Sequence, residues 1–233
     1  MENGTPPTGD GLNFHRQLDL VDAARLAATP ITVIGAGGIG SPTVVCITKM
    51  GCGQVTVYDP DTVEDHNLPN QWFRRQDVGK PKVLALQEIV RDFSGVDIVA
   101  KPERYTTQPL RGVVIVAVDH MDTRKAIWLQ CKDRPRVQLF IEGRMGGEHF
   151  HAFAVRPCDP DHIRKYEDEL YSHAEATELP CTARAIIYNT MGIGSEIAYL
   201  VKCGIMVGIR PDHREPDFHI IRDYPSGVFA NGT

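Results

Sequence analysis

Short apolar runs of strand length alternate with longer amphipathic stretches along most of the chain. Ile31-Thr32-Val33-Ile34 and Val55-Thr56-Val57-Tyr58 are β-branched and apolar, the composition of buried strands. Val113 to Val118 is a continuous apolar run, which in an α/β protein predicts a central parallel strand buried on both faces. Between these lie helical patterns. Ile39 to Met50 is apolar nearly all round, as expected of a helix pressed between layers, and Gly51-Cys52-Gly53 ends it. Pro81 to Phe93 places Val83, Leu86, Ile89, Val90 and Phe93 at helical spacing behind a proline in the first turn. Good helix formers from Leu18 to Ala28 predict a covering helix ahead of the first strand. The pattern further predicts a strand at Val96 to Ala100, a helix at Met121 to Cys131, a strand at Val137 to Ile141, and an alternating strand at Phe150 to Val155 near a sheet edge. Pro157 to Pro180 is acidic and has no clear period. A buried apolar helix from Ala183 to Met206 and a last strand at Phe218 to Ile221 complete the reading. The order β-α-β-α-β-β-α-β-β-α-β predicts a doubly wound α/β sheet, parallel in its first half and mixed toward the carboxyl half.

The turn after the first strand changes the picture from fold to ligand. Gly35-Ala36-Gly37-Gly38-Ile39-Gly40 fits G-x-G-x-x-G where a helix begins, which makes the sheet Rossmann-like. Gly35 suits a tight turn, Gly37 lets backbone approach a phosphate, and Gly40 lets the helix lie close on the strand. Pro42 supports the helix start, and the amides of the first turn face an anion. The second strand ends in Asp59, about 20 residues past the last glycine, where an acidic side chain usually holds ribose hydroxyls. Gly35, Gly37, Gly38, Gly40, Asp59 and Asp61 thus form a candidate nucleotide site. Asp119, at the end of the central strand, lies where ligands of open parallel sheets sit.

Bulk properties narrow the partners. A length of 233 residues fits one large α/β domain at 13–233 behind a Gly/Pro/Thr-rich flexible tail at 1–12. The net charge of −5, without any long Lys/Arg run, disfavours nucleic acid and acidic membranes as partners. No apolar run approaches the roughly 18 residues of a spanning helix, and the first residues are not those of a signal peptide, so a cytoplasmic protein is expected. The six cysteines form no C-x-x-C pair, so reduced thiols and no structural zinc are expected.

Five blocks in order, GAGGIGSP, YDPDTVEDHNLPNQ, DVGKPK, AVDHMDTRK and LPCTARA, resemble the ThiF/MoeB/ubiquitin-activating family over residues 13–205. Members adenylate the carboxyl-terminal glycine of a ubiquitin-like or sulfur-carrier protein. The resemblance implies ATP and Mg²⁺, a partner ending in Gly-Gly, and a homodimer. It implies that Asp59 binds the ribose, Lys82 the phosphates, and Asp119 the Mg²⁺ or the phosphate that carries it. Asn67 and Gln71 would hydrogen-bond phosphate and loop, and Arg16 matches an arginine that family dimers insert into the neighbour's site. These roles suit the chemistry, because a carboxylate attacking the α-phosphorus loses no proton and needs mainly alignment and charge neutralisation.

One departure matters for catalysis: Asn70 stands where the family has arginine in N-L-x-R-Q, and Arg74 or Arg75 is a candidate replacement. Should neither reach, the chain is a silent binding subunit. An NAD-dependent oxidoreductase is the third reading, motivated by the glycines and Asp59, although no positioned acid or base declares itself beside a nicotinamide ring. Cys181 has two readings: a thiolate at a helix start that accepts the carrier protein, as the resemblance implies for some relatives, or a buried cap cysteine. His149 and His151 beside Glu148 read as a half-exposed sheet face rather than a metal site, and Glu167 to Glu169 as a solvated acidic stretch. Arg144, after a strand end, is a candidate contact for a partner's tail. The polar Pro157 to Pro180 segment is a candidate strap over that tail.

Overall fold

The strands follow from how alternate residues of each apolar run find two different cores. In the computed structural model, which describes residues 12–17, 19–170, 185–209 and 211–232, the elements run α1 (Ala23–Ala28), β1 (Pro30–Ile34), α2 (Gly40–Met50), β2 (Gln54–Tyr58), α3 (Lys82–Ser94), β3 (Val99–Lys101), β4 (Gly112–Val116), α4 (Met121–Cys131), β5 (Val137–Gly146), β6 (His149–Val155), α5 (Pro160–Asp168), α6 (Ile187–Met206), β7 (His219–Asp223) and β8 (Val228–Gly232). Val113 and Ile115 of β4 enter one core with Val33 and Val57, while Val114 and Val116 enter the other with Ile34 and Tyr58. A strand buried on both faces has no polar side to show, which is why β4 reads as an unbroken apolar run.

The first core lies under α2, α3 and α6, and includes Val44, Ile47, Leu86, Ile89, Ile193, Ile197 and Leu200. Gly194 lets α6 cross closely over α2, since a Cβ there would come within 2.9 Å of Pro42. The buried hydroxyls of Thr43 and Thr48 donate to the Ile39 and Val44 carbonyls, so α2 buries no unpaired donor from them. The second core is aromatic: Trp128 of α4 meets Tyr166 of α5 and Phe140 of β5 edge-on, with ring centroids 4.8 and 5.1 Å apart. Such pairs contribute about 0.5–1.5 kcal/mol each beyond the area they bury.

The eight strands form one sheet ordered β3-β2-β1-β4-β5-β6-β7-β8. β1 pairs in parallel with both β2 and β4, β5 is parallel to β4, and β6, β7 and β8 each turn back antiparallel. Parallel in its first half and mixed afterwards, the sheet has the expected doubly wound form. Strand order reverses between β1 and β4, so a crevice opens at their carboxyl ends.

Several boundaries differ from the pattern-based reading, each for a local reason. The expected helix at Leu18 to Ala28 begins only at Ala23, because Asp22 caps it through the Arg25 amide at 3.0 Å; His15–Gln17 is a separate 3-10 turn. The third strand shrinks to Val99–Lys101 while Ile98 enters the core. The strand expected to stop at Ile141 continues to Gly146, and its extension is held by β6. That partner, expected near an edge, is interior, with β7 and then β8 outside it. Within the stretch expected to be unpatterned, α5 forms behind an Asp159 cap with a proline at its start. The tail at 1–12 and the strap at 157–180 fall partly outside the described residues, as does Cys181 entirely. Among the described residues no helix is long and apolar enough to cross a membrane.

Candidate functional site

The glycine turn is held closed by Asp59. One carboxylate oxygen accepts the Ala36 N–H at 2.6 Å and the other accepts the Asp61 N–H at 2.8 Å, so the end of β2 grips the middle of the turn that follows β1. Gly35 has φ +102, a left-handed conformation, and a Cβ there would lie 2.5 Å from the Ala117 carbonyl oxygen. Gly40 is packed more tightly still, with space for a Cβ only 1.9 Å from the Gly35 oxygen. Gly37 is the exception. The nearest atom that a Cβ there would meet is the Gln71 side-chain nitrogen at 4.0 Å, so the space beside Gly37 is open. Burial pushes the Asp59 carboxyl above its ordinary value, while the two amides and Lys82 pull the other way.

Lys82 opens α3 with its backbone on the Asp61 carbonyl and its ammonium on the Asp61 carboxylate, 2.9 Å away. The lysine is 7% exposed and the Asp61 side chain 63%, so the pair presents its acidic half to solvent and keeps its cation inside. The loop between them docks on the turn. The Trp72 N–H donates to the Ser41 hydroxyl at 3.0 Å, and that hydroxyl donates to the Gly37 carbonyl at 2.7 Å. This brings Asn70 and Gln71 beside the glycines, with the Asn70 carbonyl oxygen 3.4 Å from where a Gly38 Cβ would be. The side-chain oxygens of Asn70 and Gln71 are buried without a hydrogen-bond partner. Buried amides of this kind ordinarily have partners. Asn67 serves the loop, accepting the Glu64 N–H at 2.9 Å in a capping box.

Gly35, Gly37, Gly38, Gly40, Asp59, Asp61, Lys82, Asn70 and Gln71 therefore converge on one crevice. Asp119 stands at its rim: Ala117 donates to the Ile34 carbonyl at 2.8 Å, and the chain then carries a side chain that is 61% exposed. It is not a helix cap, since α4 begins behind His120 without a side-chain cap. Arg16 lies elsewhere. Its 3-10 turn follows Phe14, which packs at Gly51 beyond the far end of α2, about 16 Å of helix from the glycines.

Arg74 does not take the place left by Asn70. Its guanidinium is shared among Asp77 at 2.9 Å, Glu88 at 2.9 Å and Asp92 at 3.0 Å, which fixes it against α3. Burial pushes the Asp77 carboxyl up, but Arg74 and Lys80 outweigh it and hold the group below its ordinary value. Arg144, the candidate tail contact, is occupied by Glu142 at 2.7 Å and by the Glu169 carbonyl at 3.0 Å. Glu167, expected to be solvated, pairs with Lys132 at 2.7 Å and accepts the Trp128 indole N–H. His151 lies 2.9 Å from His219 and packs on Phe153. Among the described residues no three His, Cys, Asp or Glu side chains gather as a metal site. The exposed Asp119 carboxylate, with His120 Nε2 4.0 Å away, suits Mg²⁺ held chiefly by phosphate oxygens and water.

The ThiF family matches residues 13–222. The chain is 29% identical over 209 residues to the mouse protein named "Adenylyltransferase and sulfurtransferase MOCS3", covering 79% of this chain and 45% of that one. It is 28% identical over 135 residues to the "Sulfur carrier protein ThiS adenylyltransferase" of Escherichia coli, covering 52% and 54% of the two chains. It spans about half the length of these curated relatives. Among solved structures, E. coli MccB with AMPCPP and MccA superposes with a TM-score of 0.69 at 16% identity, over 91% of this chain and 65% of that one. At that identity the likeness concerns the fold.

Proposed function

The chain belongs to the ThiF family, and from that premise we propose that it is an adenylyltransferase acting on the carboxyl-terminal glycine of a ubiquitin-like or sulfur-carrier protein. In this reaction a carboxylate oxygen of the carrier bonds to the α-phosphorus of ATP, the bond to the bridging oxygen breaks, and pyrophosphate leaves. The observation that carries the reading is the glycine turn: open space beside Gly37, a turn tied to buried Asp59, and the Asp61–Lys82 pair alongside.

Each residue has work it can do there. The amides after Gly37 face the phosphates, and Asp59, with two backbone donors already accepted, has lone pairs left for ribose hydroxyls. Lys82 turns from Asp61 toward a phosphate when one enters. The buried side-chain oxygens of Asn70 and Gln71 would accept from donors of the nucleotide, its ribose hydroxyls or adenine amino group, since phosphate oxygens have no proton to give. Asp119 would hold Mg²⁺, which would supply charge neutralisation on the leaving phosphates. Arg16, remote from the crevice of its own chain, would serve a partner's crevice in a homodimer. Cytoplasmic ATP would be the source of nucleotide.

The test is isotope exchange between pyrophosphate and MgATP in the presence of a Gly-Gly-ended carrier. Lys82→Ala is expected to lower the rate about 10- to 100-fold, the effect of one charge-assisted hydrogen bond to the reacting phosphates. Exchange by this variant at the wild-type rate would remove Lys82 from the mechanism. A second reading, a subunit that binds nucleotide without catalysing, is favoured by neutral Asn70 together with the commitment of Arg74 to three carboxylates, and it requires that Arg75 not reach the phosphates either. Thermal stabilisation by MgATP without any exchange is its signature, and stabilisation by NAD instead would point to the oxidoreductase.

A further inference from the structure

β5 carries a carboxylate into the core where the parallel half of the sheet ends. Glu142 pairs in register with Val116 of β4 and Phe153 of β6, and it is 0% exposed. A buried charge of this kind is tolerated only when paired and hydrogen-bonded. It accepts Arg124 Nη1 at 2.7 Å, Arg144 Nε at 2.7 Å, Arg144 Nη2 at 3.0 Å, and the Tyr166 hydroxyl. Burial pushes its carboxyl up, and the two arginines outweigh that and hold it below its ordinary value.

The remaining bonds of these partners lead in two directions. Arg124 donates from both Nε and Nη2 to one acceptor, the Val118 carbonyl, at 2.8 and 2.5 Å. That carbonyl belongs to the peptide bond on which Asp119 hangs. On the other side Arg144 donates to the carbonyl of Glu169, the residue that caps α5. One carboxylate thus ties the backbone at Asp119 to the end of α5. Asp119 itself is exposed and is not a side-chain cap of α4. Its position therefore depends on the peptide before it.

We propose that Arg124, anchored by Glu142, is a positioning residue that fixes the Val118–Asp119 peptide so that Asp119 meets its cation in one orientation. This rests on the adenylyltransferase reading, in which Asp119 carries Mg²⁺. The fork of the guanidinium is the essential feature, because it spans Val118 and Glu142 at once, whereas an ammonium is a single point charge.

The experiment compares wild type with Arg124→Lys by two readouts. The first is the carbonyl ¹³C resonance of Val118, assigned with an Asp119→Asn variant, which reports the clamp in the protein alone. It is expected to move on substitution while the carbonyl resonances of β1 do not. The second is the Mg²⁺ concentration giving half-maximal pyrophosphate exchange, expected to rise about 10-fold or more, as for other residues that orient a metal ligand, with half-saturating ATP at excess Mg²⁺ changed less than about twofold. A purely structural role would move both constants together. Should Arg124→Lys not fold, Tyr166→Phe, which removes one donor from Glu142, carries the same test with a shift of about threefold. An unmoved Val118 resonance overturns the clamp whether or not the wild type is active. Equal Mg²⁺ dependence in an active wild type and an active variant overturns its role. An inactive wild type defeats the adenylyltransferase reading and this role with it, while the resonance still decides the clamp.

Discussion

Gly40→Ala is expected to yield a protein that melts well below wild type and no longer binds nucleotide, whereas Gly37→Ala, three residues earlier, folds normally and loses only the nucleotide. The two glycines belong to one motif and face opposite constraints. A Cβ at Gly40 would stand 1.9 Å from the Gly35 carbonyl oxygen, far inside van der Waals contact, and its neighbour is backbone that cannot rotate away. The start of α2 must move off β1, opening the hold of Asp59 on Ala36. Overpacking of this kind costs about 3 kcal/mol or more, or roughly 6–12 °C in melting temperature for a chain of this size. A Cβ at Gly37 meets nothing closer than a side-chain nitrogen at 4.0 Å. It costs the fold little, but it fills the space through which a phosphate would reach the amides, so MgATP affinity should fall about 10-fold or more. Calorimetric melting and MgATP titration of both variants check the pair. A Gly37→Ala protein that binds MgATP like wild type would mean that this space is not the phosphate cradle.

What could be read along the chain was what local spacing decides. The glycine motif, the apolar run of β4 and the helix at Met121–Cys131 depend on neighbours a few residues away and form as the pattern predicts, except that β4 spans Gly112–Val116 and stops two residues short of the end of its apolar run at Val118. β8 was missed because all of its residues are exposed; it is a strand through its pairing with β7 across the turn at Gly227, not through a buried face. α5 was missed because its apolar stripe is sparse: Ile163, Tyr166 and Leu170 fall at helical spacing among charged residues, and only Tyr166 is fully buried within the helix.

Glu142 shows the limit for the site. Two of its partners, Arg124 and Tyr166, lie 18 residues before and 24 after it, and nothing in Ile141-Glu142-Gly143 says that the sheet will bring them together. The available signals were a carboxylate ending an apolar run, which is seldom buried without a cation, and Arg144 two residues on, which is one of its cations. Arg74 was misread for a similar reason. It is near Asn70 in sequence, but the 3-10 turn at Arg75–Asp77 points it at the carboxylates of α3. Proximity along a loop does not choose the direction of a side chain; the nearest buried counter-charge does.

Asp59→Asn is expected to weaken the fold and the recognition of ribose together, and the two losses can be separated. Both carboxylate oxygens already accept a backbone amide. Asparagine has one oxygen, so its amide nitrogen must face either the Ala36 or the Asp61 N–H, donor against donor, at a cost of about 1–3 kcal/mol. The pH dependence has a definite sign. Because burial raises the folded-state pKa of Asp59 above its ordinary 3.8, this group contributes stability in its protonated form, and that contribution is lost as pH rises through the folded value. Asparagine does not titrate, so the gap in stability between wild type and variant should widen as pH falls through the window above 3.8. For the ligand, the comparison is ATP against 2′,3′-dideoxy-ATP. A carboxylate holding the ribose should make the wild type prefer ATP by about 10- to 100-fold, and the variant by only a few-fold, since hydrogen bonds to a charged acceptor are worth about 1.5–3 kcal/mol. A destabilised turn alone would weaken both nucleotides equally and leave the preference intact. An Asp59→Asn protein that still discriminates like wild type would confine this residue to holding the turn and would move ribose recognition elsewhere in the crevice.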